Sequence, residues 1–92
     1  MTRIAVLRRQ QAKLVGDIGA LLDSYLIGTL AQPPSLAGHN LTTKVDGKTV
    51  TRYVRKDVVP AAREMTRRYK VLWALIQELS RINWEVLNLE NR

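Results

Sequence analysis

Eight lysines and arginines fall between residues 47 and 72 against two acids, so about a quarter of the chain carries +6 of a total charge of +7. Arg63, Arg67 and Lys70 stand at i, i+4 and i+7, the spacing of one side of a helix, with Lys56 before them and Arg68 beside them. Arg52 and Arg55 lead in from an extended run, and Lys44 and Lys48 bracket a turn just upstream. The chemistry open to such a set is anion binding. Each cation that neutralises a phosphate releases condensed counterions, which gives affinity that weakens with salt. These nine residues form the candidate nucleic-acid-binding set. Backbone contact is expected rather than base reading, because no recognisable reading helix or aromatic platform accompanies the charge. DNA is the favoured polyanion, ahead of RNA.

Other chemistries have little to stand on. There is no Cys, which removes thiol catalysis, disulfides and Cys-ligated zinc. His39 is the one histidine and has no paired carboxylates in its neighbourhood, so no metal site is expected. Asp46 and Asp57 have turn and capping duties, the remaining acids are scattered, and no Gly-rich phosphate cradle occurs. No catalytic residue and no cofactor is assigned, and the expectation is a protein that is not an enzyme. No run of eighteen apolar residues exists, and residues 4–7 are too short for a signal-peptide core, so a cytoplasmic protein without a membrane partner is expected.

Three elements would position the cations. Ile4, Leu7, Gln11, Leu14, Ile18, Leu21 and Tyr25 follow 3-4 spacing, which predicts a first helix over residues 3–31 despite Gly16, Gly19 and Gly28. Ala12, Gly16 and Ala20 share one face of it, where another helix can approach closely. Pro33 and Pro34 end any helix and open a linker, PPSLAGH. Residues 40–54 then change to strand chemistry around Asp46-Gly47, a strong two-residue hairpin signal. Pairing Val45 with Lys48 puts Leu41, Val45, Val50 and Val54 on one face and Lys44, Thr42, Thr49, Thr51 and Tyr53 on the other. Asp57 is expected to cap a second helix, 58–89, about 48 Å long, with Pro60 in its first turn.

Along this second helix Met65, Tyr69, Leu72, Ile76, Leu79 and Val86 make a core stripe, with Trp73, Trp84 and Leu87 beside it. That arc is wider than one antiparallel neighbour covers, so Trp73, Ile76, Trp84 and Leu87 are the expected interface of a helical-bundle homo-oligomer. Glu64 and Arg68 form an expected i, i+4 pair. The fold expected is mainly α with a β-hairpin: one domain, 1–92, made of an N-terminal helix (1–32), a linker and hairpin (33–56) and a long C-terminal helix (57–92).

The runs at residues 44–49 (KVDGKT), 52–54 (RYV) and 78–83 (ELSRIN) resemble the recurrent K-V-x-G-K-T, R-Y-V and E-L-S-x-x-N elements of a family of small bacterial and archaeal proteins of unknown function, often encoded near transposases. The likeness covers about half the chain. Many members carry a Cys-rich knuckle before the hairpin, where this chain has PPSLAGH, so no metal carries over. The resemblance implies an association with mobile DNA and supplies no activity. Two readings follow: a small nucleic-acid-binding protein, or an adaptor or inhibitor docking on an acidic surface of a larger protein such as a transposase or nuclease.

Overall fold

The computed structural model describes residues 2–32 and 39–91. It is mainly helical, with two helices and a three-stranded antiparallel sheet. The chain divides into two compact units, Met1–Asp23 with Lys70–Arg92, and Ser24–Tyr69. The linker expected at 33–39 lies outside the described residues except for His39, which opens a strand.

The first unit is a helix pair. Helix α1 (Arg3–Gly19) starts where the Thr2 hydroxyl accepts a hydrogen bond from the Ala5 amide at 3.2 Å, satisfying one of the donors that a helix start leaves unpaired. Its partner is the C-terminal part of α2 (Val59–Glu90). Leu7 is fully buried against Ile82 and Val86, with Ile4, Leu14 and Leu89 packed around them. The segments run in opposite senses: Arg8 pairs with Glu90, while Gln11, one turn later, donates to Asn83 at 2.6 Å. Arg3 to Glu85 (2.6 Å) and Arg81 to Glu78 and Glu85 (2.5 and 2.9 Å) close the ion pairs on this unit's surface.

The helix expected over 3–31 is shorter than its apolar spacing suggests. After Gly19 the hydrogen bonds tighten to Leu21 N–H onto the Ile18 carbonyl (3.0 Å) and Leu22 N–H onto the Gly19 carbonyl (3.4 Å), the three-residue closure of a fraying end. Gly16 and Gly19 each weaken helix propagation by about 1 kcal/mol. Residues 24–31 find other partners. The Leu26 amide donates to the Met65 carbonyl at 3.1 Å, Tyr25 stacks on Tyr69 with ring centroids 6.0 Å apart, and residues 29–31 become a strand.

That strand, β1 (Thr29–Ala31), pairs with β2 (His39–Val45), which pairs with β3 (Lys48–Val54), in the order β1-β2-β3. The Asp46-Gly47 turn has the expected geometry. Asp46 (φ 52°) and Gly47 (φ 78°) both sit at positive φ, and Val45 faces Lys48. A Cβ on Gly47 would meet nothing within 4 Å, so Gly47→Val strains the backbone alone. We expect a loss of about 1–2 kcal/mol, read as faster amide exchange at the β2–β3 ladder. Unchanged protection would contradict the turn.

The chain leaves β3 through a 3-10 turn, Lys56–Val58, before entering α2. Asp57, expected to cap the second helix, lies inside that turn, 3.7 Å from Arg55. The buried side chains of the second unit are Leu41, Val59, Ala62 and Thr66.

Candidate nucleic-acid interface

The register divides the sheet into two chemically different faces. Leu30, His39, Leu41, Thr43, Val45, Lys48, Val50, Arg52 and Val54 point to one side, and Thr29, Ala31, Asn40, Thr42, Lys44, Thr49, Thr51 and Tyr53 to the other. Leu41 is buried on the first side, while Lys44, Thr49, Thr51 and Tyr53 are exposed on the second. Lys48 and Arg52 therefore share the apolar side, Arg52 directly across from Leu41, and both are solvent-exposed. Lys44 points the opposite way. Tyr53, across from Asn40, is 59 % exposed and is not packed into a core.

Arg55 and Lys56 sit at the 3-10 turn, and Arg63 and Arg67 are exposed on the first turns of α2. At 100° per residue they lie roughly a quarter-turn from the buried line of Val59, Ala62 and Thr66. Lys70 is exposed and belongs to the other unit.

Ion pairing sorts these cations further. Arg67 donates to both Glu64 oxygens, at 2.8 and 2.6 Å, and Arg68 lies 3.5 Å from the same carboxylate. The Glu64–Arg68 pair expected from sequence is present, but Arg67 makes the shorter contacts. The Arg67 hydrogen bonds hold the Glu64 carboxyl down to about pH 2, against some opposing desolvation. Glu64 is thus ionised throughout the neutral range and keeps Arg67 partly neutralised. Arg68 is half-buried, with its guanidinium on the Ser24 hydroxyl and its carbonyl oxygen. Together with the Leu26 amide and Tyr25 it ties residues 24–26 to α2. Its role is structural, and sequence spacing gave no sign of it because Ser24 lies 44 positions away.

Five cations of the second unit have no acidic oxygen within 4.0 Å among the described residues: Lys44, Lys48, Arg52, Lys56 and Arg63. The first unit is more fully matched: of its six described cations Arg3, Arg8, Lys13 and Arg81 are paired, and Arg9 and Lys70 are not. By sequence, residues 24–69 hold eight Lys or Arg and three acids (+5), and residues 1–23 with 70–92 hold seven and five (+2). Lys48 and Arg52 are about 13 Å apart along β3, beyond a Debye length at ordinary salt, so they act on an anion as separate charges. Among the described residues no group of three His, Asp or Glu is placed to hold a metal ion, and no helix is long and apolar enough to cross a membrane.

Comparison with protein-family models, with curated proteins and with solved structures returned no match.

Proposed function

We propose that the unit 24–69 binds the phosphate backbone of nucleic acid, DNA in the first instance, through Lys44, Lys48, Arg52, Lys56 and Arg63, without chemistry on the ligand. The observation that carries this reading is the uneven neutralisation of charge. Five of the eight cations of this unit lack an acidic partner, whereas four of the six described cations of the other are matched to carboxylates. Exposed pairs contribute little to stability, but they do cancel field, so the unpaired set dominates attraction to a polyanion. Arg55, Arg67 and Lys70 stand at the margins of this set, and Arg68 belongs to the scaffold. The sequence resemblance to proteins encoded near transposases makes mobile DNA the natural setting.

Salt-titrated binding to duplex DNA, single-stranded DNA and RNA tests the proposal. The logarithm of the association constant should fall linearly with log salt, and Lys48→Ala, Arg52→Ala and Arg63→Ala should each reduce the slope by about 0.9 on duplex DNA. Arg81→Gln, within the Glu78–Glu85 network, should leave it nearly unchanged. Glu64→Gln should steepen the slope by releasing Arg67. Equal losses at Arg63 and Arg81 would mean diffuse attraction to net charge. An unmutated protein that binds no nucleic acid at low salt would overturn the proposal in favour of an acidic protein surface as the partner.

A further inference from the structure

Helix α2 carries two apolar faces within the first unit, and only one is covered. Ile82 and Val86 face α1, whereas Trp73, Ile76, Trp84 and Leu87 are 49, 37, 64 and 52 % exposed. At 100° per residue the exposed line, completed by Ser80, is centred about 140° around the helix from the buried one. Its spacing is palindromic. The steps from Trp73 to Ile76, Ser80, Trp84 and Leu87 are three, four, four and three residues.

We infer that this face is the seat of a second copy of the same chain, packed antiparallel across a two-fold axis at Ser80. An isologous interface requires that residue i meet residue j while j meets i. An antiparallel pair centred on Ser80 satisfies that condition along the whole line. Trp73 faces Leu87 of the second copy, Ile76 faces its Trp84, and each large ring meets an aliphatic side chain. Ser80, small and exposed, sits at the crossing point, where two helices approach most closely.

Charge selects the same occupant. The positions within about 60° of the centre of this face from 73 to 91 are Trp, Ile, Gln77, Ser, Asn83, Trp, Leu and Asn91, with no ionised group among them; Glu90 and the paired Arg3 and Glu85 lie at its edge. A partner recognised by charge finds no complement there, and two copies of a +7 chain can meet there without opposing cations in the contact. The area is also sufficient. The four exposed side chains offer roughly 500 Å² per copy, so a pair buries on the order of 1,000 Å², the lower bound of specific interfaces.

Sedimentation equilibrium of the full chain at roughly 10–100 μM should give a dimer, the range expected for an interface of this size. Trp84→Lys should raise its dissociation constant by at least about thirty-fold. Trp84 is mostly exposed, so its thermal melt as a monomer should still show a cooperative fold. The chain has no cysteine, which allows a direct test of register. Ser80→Cys should form a disulfide-linked dimer under mild oxidation, because the two Cα atoms fall within bridging distance at the axis. Trp73→Cys should not, since its copies stand about 21 Å apart along an antiparallel pair. Cross-linking at both positions would mean a parallel pair and overturn the register. A clean monomer, or a dimer indifferent to Trp84→Lys, would overturn the inference. Capture of the monomer by phospholipid vesicles in place of dimerisation would do the same.

Discussion

Leu7→Ala is expected to destabilise the protein by about 3 kcal/mol, and by as much as 5 if the site cannot collapse. Leu7 is the fully buried side chain of α1 in the Ile82–Val86 cluster, with Ile4 and Leu14 only partly buried beside it, so its loss leaves a void between α1 and α2 in the first unit's core. A chain of 92 residues has total stability of roughly 5–14 kcal/mol, which makes this a large fraction of the whole. Urea unfolding should show a lower midpoint with an unchanged slope. Ala12→Ser, on the exposed side of α1, is the control and should move the midpoint little. A Leu7→Ala midpoint within error of the parent would mean that α1 does not dock on α2 as described.

The second large effect is expected at Gly28, where two costs coincide. Its φ of 145° is a conformation that side chains with a Cβ resist, and a Cβ there would lie 2.6 Å from the Thr43 hydroxyl oxygen, 2.7 Å from the Thr42 carbonyl oxygen and 2.9 Å from Leu41 Cδ1. The Thr43 hydroxyl is already committed, donating to the Ile27 carbonyl at 2.5 Å, and the Thr42 oxygen is backbone of the central strand. Neither yields without opening the β1–β2 pairing. Gly28→Val should cost about 3–5 kcal/mol and strip amide protection from residues 40–43. Gly16→Ala is the contrasting case, because nothing lies within 4 Å of its Cβ and the helix gains propensity. A Gly28→Val protein as stable as the parent would overturn the close approach of residues 27–29 to β2.

Why one glycine-containing segment was legible and another was not follows from how each is specified. Asp46-Gly47 sits between β-branched runs, and local chemistry alone demands positive φ at both positions, so the hairpin and its register could be read directly. The second helix was equally plain: an uninterrupted run without internal Gly predicts 58–89, and the helix is Val59–Glu90. Residues 20–31 carry a contradictory message. Leu21 and Tyr25 continue a helical spacing, and a strand of three residues has no alternation to detect. What decides the matter is non-local, namely the Met65 carbonyl, the Tyr69 ring and the backbone of residues 40–42.

The candidate site was legible as a composition and less so as a surface. Nine basic residues could be named, and the hairpin register puts Lys44 and Arg52 on opposite sides of the sheet, but spacing along the chain does not reveal which of the nine lack a carboxylate partner. Nor does it show that Glu64 favours Arg67 over Arg68, or that Arg68 is drawn onto Ser24. Those choices depend on side-chain direction and on partners brought together by folding.

The position of β3 at the margin of the sheet has a further consequence. An outer strand seven residues long offers a row of ladder groups onto which another chain can add itself, the first step toward fibrous stacking. Lys48 and Arg52 project from one side of this strand at four-residue separation, where an incoming copy of the same strand would bring like charges against them. A barrier to strand-on-strand stacking and the anion binding proposed above would therefore draw on the same two side chains.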